Sequence, residues 1–586
     1  MTFQPAIGLS DFRKMREAGL GYIDKTDFIQ QVLEDPSEVL LFPRPRRFGK
    51  TINISALAYF LRKTDEDLTH LFEGLAVTRD ARAMAHFQKY PTIFVTFKEV
   101  KATTFEKAVE GILQQVSECF RAYRHLLDEN RLDDTMARRF RKVLDGNITA
   151  TELESSFKWL SIMLDEHYKV RPVILIDEYD TPIQAGYTHR YFDDIVLFFR
   201  NFLSAALKDN VHLSKAVLTG ILRVSKENMF SGLNNIDVHS ILSPRYATAF
   251  GFTEDEVASI VDPAHLDEVR SWYNGYLFGE KVIYNPWSIL NYIKRGTLEP
   301  YWVNTGSSDL IEHLATKQGM GLSAHSAALL RGETIDVIID DNIVLRDIDQ
   351  MPDALWNFLL FSGYLKLAKF VRHEGRITGS LCIPNKEIRT VYENMFRNWL
   401  HRASPDRSLI DEFVKALLGG DAPMVETLLQ DILLTVISYQ DGAGRKPEKL
   451  YHGLVLGLLV HLASLYDVRS NRESGYGRAD VLMVPRTQGR PGVVMEFKVP
   501  LGPETPEQAL AKAGQQVRER KYAVEVQKAG ASPVHEYAMV FDGKRAWVRM
   551  VDDVIAPAAA PKAPKAPGRK AASKSSRKRG AKRSNS

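Results

Sequence analysis

The sequence predicts an α/β chain in four parts. Residues 1–252 form a unit built on a parallel sheet, residues 253–423 are mostly helical, residues 424–553 form a second and smaller α/β unit, and residues 554–586 are a disordered basic tail. Three observations predict it. Short, continuous apolar runs alternate with helical stretches through the first part, the pattern of strands buried on both faces. A helical pattern rich in aromatics follows, as in Ser271-Trp272-Tyr273-Asn274-Gly275-Tyr276. Apolar runs joined by glycine-rich turns then return.

In the first unit, residues 39–42 are a short apolar strand that enters a loop at Gly49. Residues 52–61 follow as a helix free of Gly and Pro. Residues 92–97 are a second strand, and residues 105–127 a long helix. Residues 173–176 are a third strand ending in acids, and residues 216–218 a fourth ending at Thr219-Gly220. The second unit holds a helix at 451–466, strands at 480–484 and 493–497, a helix at 506–522 and a closing strand pair at 536–541 and 545–551.

A chain of 586 residues exceeds one hydrophobic core and calls for two to four domains. Only Cys119 and Cys382 occur, which excludes a disulfide framework or a four-cysteine metal site and fits a reducing cytoplasm. No signal peptide is expected at residues 1–20. The most apolar stretches are interrupted by Asn357, Lys366 or His461 and fall short of a bilayer span. A cytoplasmic protein with no membrane partner is expected. Of the 77 Lys and Arg, ten lie in the acid-free tail, so the body carries 67 basic against 73 acidic residues. The tail's Pro/Ala/Lys composition cannot bury a core. It suits sequence-independent contact with nucleic-acid phosphates, or simple solvation.

The loop reads Arg44-Pro45-Arg46-Arg47-Phe48-Gly49-Lys50-Thr51. Gly-Lys-Thr is the second half of a phosphate-binding P-loop, with Arg44 at the first glycine position. Such a loop needs backbone N–H groups around phosphate, a helix N-terminus aimed at it, and a lysine for the terminal phosphates. Thr51 would offer its hydroxyl to magnesium, and Pro45 would pre-set the turn. The strand at 173–176 runs into Asp177-Glu178. The first acid would hold magnesium and the second polarise an attacking water. The plainer reading of both is a helix cap. Thr219 would sit beside the γ-phosphate if its strand is adjacent, and Arg223 and Arg245 are candidates to sense that phosphate.

In the second unit Asp480 opens one strand and Glu496 lies near the end of the next. Glu496 and Lys498 share a face, with Phe497 on the other. Two carboxylates and a lysine could form a divalent-metal site for phosphodiester hydrolysis, with Lys498 orienting the water or offsetting phosphate charge. The plainer reading is a solvated hairpin with a salt bridge. Glu448 and His452, four apart on a helix, could complete the site or stand behind it, and Gln516 could contact phosphate.

Gly21-Tyr22-Ile23-Asp24-Lys25-Thr26, the Arg44–Thr51 string and Asp177-Glu178-Tyr179-Asp180 together resemble the AAA-ATPase-like family of bacterial and archaeal proteins. Tyr451-His452-Gly453, the segment from Ser474 to Asp480 and Glu496-Phe497-Lys498 resemble the PD-(D/E)XK nuclease superfamily, whose domain commonly ends such proteins. The family's own phosphate loop lacks the first glycine, so Arg44 is part of its pattern. The resemblance implies a P-loop NTPase sheet, a restriction-endonuclease-like second domain and ATP binding. By that resemblance Lys50 and Thr51, with Asp177 and Glu178, would hold ATP and Mg2+, and the residue reading adds Arg47, Gly49 and Thr219 to the nucleotide contacts. It also implies a metal-dependent nuclease site at Asp480, Glu496 and Lys498, acting on DNA or RNA. Ala479 stands where the superfamily has its Pro. Tyr22, Asp24 and Lys25 would line the nucleotide site or hold its loop. The middle region could donate an arginine across the interface of a homo-oligomer. Two functions follow: an ATPase coupled to a nuclease, or a nucleotide-switched signalling or scaffold NTPase whose nuclease-like domain is inactive or only binds nucleic acid.

Overall fold

A computed structural model describes residues 3–129, 131–222, 235–302, 325, 328–330, 332–341, 352–403, 407–436, 447–459, 462, 465–474 and 477–554. Side chains at 395–408, 435–436, 447–450, 453, 470–474 and 477–478 lie outside this description.

The first unit is a five-stranded sheet in the order β2-β3-β4-β1-β5. Its strands are β1 (Val39–Pro43), β2 (Thr92–Thr96), β3 (Val173–Asp177), β4 (Lys215–Gly220) and β5 (Ile236–Val238), and every neighbouring pair is parallel. β1 and β3 are buried at every position. This is why their sequences run apolar without alternation: helices cover both faces of the sheet. β4 lies between the strand that feeds the loop and the strand that ends in Asp177, so Thr219 falls between them. The helix beginning at Phe105 stops at Arg121 rather than 127. Past that stop, Tyr123 turns inward: its hydroxyl accepts from Thr92 N–H at 2.8 Å and donates to Thr92 C=O at 3.0 Å. A tertiary bond to an edge strand thus overrides local helix preference.

The middle region contains strands that a helical reading of it passes over. β6 (Phe252–Thr253), β7 (Tyr276–Phe278) and β8 (Lys281–Tyr284) form one small sheet. β9 (Ile335–Ile339), β10 (Lys366–His373) and β11 (Arg376–Cys382) form another, in the order β10-β11-β9. Turn chemistry defines the longest pair, β10 and β11. Glu374 and Gly375 both adopt positive φ, 47° and 77°, the requirement of a two-residue hairpin turn whose twist matches its strands.

The second unit is a mixed sheet of β12 (Tyr466–Ser474), β13 (Gly477–Pro485), β14 (Gly492–Lys498), β15 (Val534–Asp542) and β16 (Arg545–Met550), paired in that order. Only β14 and β15 run parallel, and the helix Pro506–Arg520 makes the crossover between them. The helix expected at 451–466 is observed as Pro447–Leu459, and Tyr466 instead begins β12. Helices Arg407–Gly419 and Ala422–Val436 also pack on this unit. Tyr537 donates to Leu417 C=O at 2.7 Å, and Glu426 accepts from Val548 N–H and pairs with Arg549 at 2.6 Å.

Candidate nucleotide and metal sites

The loop after β1 turns through two left-handed residues, Arg47 (φ 65°) and Gly49 (φ 84°). Glycine takes that conformation without cost, while Arg47 pays about 1–2 kcal/mol for it. Its guanidinium rests 4.2 Å from the centre of the Trp287 ring, a contact from the middle region that offsets part of the strain. Helix Lys50–Leu61 starts directly behind Gly49. Lys50 is buried, and its ammonium donates to the C=O groups of Arg44 and Pro45, each at 3.1 Å, and lies 3.3 Å from Glu178. The lysine thus curls under the loop, bound to the loop's own carbonyls.

Arg44, at the first glycine position, points away from the cleft. It is fully buried and donates to the C=O groups of Pro43, His239 and Tyr246. The rings of Phe250 and Phe278 lie 5.1 and 5.2 Å from it. Burial pushes its guanidinium down to about 9, still charged at neutral pH. Arg44 therefore ties the base of the loop to the segment after β5.

Asp177 is fully buried at the end of β3. Three threonine hydroxyls donate to it: Thr219 at 2.6 Å to one oxygen, Thr51 at 2.9 Å and Thr96 at 3.2 Å to the other. Burial, then the charge of Glu178, raises its pKa. Glu178 itself is left-handed (φ 54°), which turns its carboxylate back toward Lys50. Thr96 escapes sequence reading because nothing in a strand-end threonine says which acid it will face. Asp180 stands in the family string without an assigned role. It is buried, accepts from Ile221 and Leu222 N–H, and among the described residues keeps its other oxygen unpartnered, and burial raises it to about 6.

These residues border a cleft of about 800 Å³, lined by Tyr22, Lys25, Arg47, Lys50, Thr51, Glu178 and Trp287 among others. Asp24 accepts from Thr26 and Ala76 N–H, and Lys25 pairs with Glu256 at 2.6 Å and donates to Thr248 C=O. Asp24 thus fixes the segment, while Tyr22 and Lys25 reach the cleft wall. Arg245 does not reach it. Its guanidinium pairs with Asp35 at 2.7 Å, ahead of β1 and at the end of that strand away from the loop, so it cannot sense a terminal phosphate there. Arg223 lies outside the described residues.

In the second unit, β13 and β14 pair so that Val481 faces Met495, which sets Asp480 beside Glu496. Asp480 accepts from Phe497 N–H at 2.8 Å. Lys498 donates to one oxygen of Glu496 at 2.6 Å and to Phe497 C=O at 3.1 Å. The other oxygen of Glu496 is buried and, among the described residues, has no hydrogen-bond partner. Burial, then the charge of Asp480, raises Glu496 to about 7 against the pull of Lys498. An orphaned buried acceptor costs about 1–3 kcal/mol, which a cation between the two carboxylates would relieve. The donor set, hard carboxylate oxygens beside a lysine, fits a divalent ion.

Tyr522, missed in the sequence, belongs to the surroundings of this site. The charges of Glu496 and Asp480 act on it, and Gln516 donates to its hydroxyl at 3.3 Å. His452 does not complete the metal site. Its ring meets the edge of Phe497 at 5.2 Å, on the face of β14 opposite Glu496 and Lys498. The side chain of Glu448 lies outside the described residues.

Residues 6–230 match the model of a family described as predicted AAA-ATPase, and residues 446–550 match that of the PD-(D/E)XK nuclease superfamily. The chain is also 26% identical over 547 residues to an "Uncharacterized protein in vnfD 5′region" of Azotobacter chroococcum mcd 1, covering 91% of this chain and 96% of that one. The likeness therefore runs through the middle region as well as both ends. In one chain, an AAA-ATPase-like region with a parallel sheet precedes a PD-(D/E)XK nuclease-superfamily region with a mixed one.

Proposed function

We infer that this protein hydrolyses ATP at the loop after β1 and uses the nucleotide state to control divalent-metal-dependent cleavage of nucleic acid at Asp480, Glu496 and Lys498. The observation that carries the reading is the buried, unpartnered oxygen of Glu496 beside Asp480. A folded chain retains such a group where a ligand completes it.

At the first site, Lys50 exchanges the loop carbonyls for the terminal phosphates. Gly49 and the helix N-terminus cradle the phosphates, with Arg47 at the rim. Thr51 and Asp177 would hold Mg2+, Glu178 orients the attacking water, and Thr219 stands beside the γ-phosphate. At the second site Asp480 and Glu496 would hold the metal, which supplies a water of lowered pKa when bound. Lys498 neutralises charge on the scissile phosphate.

A route for control supports the coupling. Arg46 C=O accepts from Trp302 Nε1 at 3.1 Å, and Trp302 N–H donates to Glu387 at 2.7 Å. Glu387 opens the helix Lys386–Ala403, which packs against Pro447–Leu459 of the second unit. A loop that closes on phosphate pulls on this chain of contacts.

The switch reading, with an inert second domain, draws on the Lys498–Glu496 bond, which neutralises the acid without metal. Calorimetric titration of Mn2+ into the nucleotide-free chain separates the two. The nuclease reading expects a site in wild type that Glu496→Ala lacks. Equal binding by both would remove the metal from it.

A further inference from the structure

The β10–β11 hairpin is exposed on both faces from residue 368 to residue 376. Its register pairs Lys369 with Ser380, Val371 with Thr378 and His373 with Arg376, so these six share one face. Phe370 and Arg372 occupy the other, with the guanidinium 5.9 Å from the ring centre. Val371 is 65% exposed and Phe370 42%. Three permanent cations, one histidine and a single acid, Glu374, thus crown a projecting ribbon. Among the described residues, Lys369, Arg372 and Arg376 form no ion pair.

We propose that this hairpin is a contact for double-stranded DNA that seats in the major groove, with Lys369 and Arg376 on phosphates of the two flanking strands. It rests on the nucleic-acid reading of the second unit for its biological sense, but not for its geometry. A two-stranded ribbon is one of the shapes that the B-form major groove admits. Lys369 and the His373–Arg376 pair are separated by four residues of strand, about 13 Å. Lying along a groove about 12 Å wide, the ribbon turns Lys369 of β10 and Arg376 of β11 toward opposite walls. Val371, between them, faces the base edges, where thymine methyl groups offer an apolar partner. The A-form RNA major groove is too narrow and deep for such a ribbon, so the geometry selects DNA.

The test is fluorescence anisotropy of the full chain with a labelled DNA duplex in EDTA, over a salt series. The triple variant Lys369→Gln, Arg372→Gln, Arg376→Gln should make the log–log salt slope shallower by roughly 1.8, about 0.9 for each of the two phosphate contacts of Lys369 and Arg376, and weaken binding at least about tenfold. The charge-keeping variant Lys369→Arg, Arg372→Lys, Arg376→Lys should keep the slope. ATP binding and melting temperature check that each variant folds. An unchanged slope in the triple variant would mean that the cations only guard an exposed sheet edge, and the proposal would fall. Equal affinity for A-form RNA, or tighter binding to phosphatidylserine vesicles than to DNA, would overturn it too. Cleavage in Mg2+ is assayed alongside with wild type and Glu496→Ala. If wild type and Glu496→Ala are equally inert toward DNA while the triple variant still loses the slope, the nuclease reading fails and the hairpin stands.

Discussion

Asp177 and Glu496 both sit buried near the C-terminal ends of sheet strands, and burial raises both. Among the described residues, Asp177 receives three hydroxyls across its two oxygens, whereas Glu496 receives one lysine on one oxygen and nothing on the other. The difference separates two kinds of site. Around Asp177 the groups that would meet a nucleotide are held by the chain itself: Thr51 by Asp177, Lys50 by loop carbonyls. Binding there would exchange bonds, which predicts moderate affinity and a loop that moves. Around Glu496 an acceptor waits unsatisfied, so binding adds a bond without breaking one.

The sharpest way to break this contrast is to remove the waiting acceptor. Glu496→Ala should take metal-dependent cleavage to background, and Lys498→Ala should lower it about 10²–10³-fold, the usual loss for one charge-stabilising donor. A gel assay with Mg2+ or Mn2+ reads both. If Glu496→Ala cleaves like wild type, the vacancy has another cause.

Next in size is a buried acid on the path between the sites. Glu387 is fully buried, accepts from Ser288 and Trp302, and is raised by burial from 4.5 to about 7. Between those values the folded chain holds a proton that the unfolded chain has lost, so stability falls as pH rises and levels off above 7. Glu387→Gln removes that dependence. Its stability relative to wild type should therefore rise by on the order of 3 kcal/mol from pH 4.5 to pH 7.5, read by urea unfolding at each pH. A difference independent of pH would mean that Glu387 is ionised throughout.

Lys50→Ala should weaken ATP about tenfold to a hundredfold, the worth of charge-assisted bonds to phosphate net of the loop bonds given up. Unchanged affinity by titration calorimetry would remove the loop from the nucleotide site. The smallest effect belongs to Thr96→Val, which takes one of three donors from Asp177. It should cost about 1 kcal/mol in melting experiments and leave cleavage untouched.

Strong local patterns made much of the molecule legible in the sequence. The continuous apolar runs at Val39 and Val173 could only be buried strands, and Gly49-Lys50-Thr51 followed by Asp177-Glu178 gave the first site its parts. Glu496 and Lys498 share a face by period alone. What stayed hidden depends on tertiary placement. Thr96 acquires meaning only because β2 neighbours β3, and Arg44 only because two phenylalanines and three carbonyls far along the chain enclose it. Helical spacing put His452 near the candidate metal site, yet the helix lies on the other face of β14. Arg245 was a loop arginine like many others until Asp35 claimed it. The β6–β8 sheet was obscured because strands of two to four residues carry little period, and the β10–β11 hairpin because most of it is exposed and mixes charged with apolar residues.

The most direct measurement of the account is cleavage of linear duplex DNA and of RNA by the full chain in Mg2+ or Mn2+, with and without ATP, in wild type and Lys50→Ala. The account predicts divalent-dependent cleavage whose rate changes with ATP in wild type and is indifferent to ATP in Lys50→Ala. No cleavage of any substrate under any condition would contradict it and leave the chain a nucleotide switch with an inert nuclease fold.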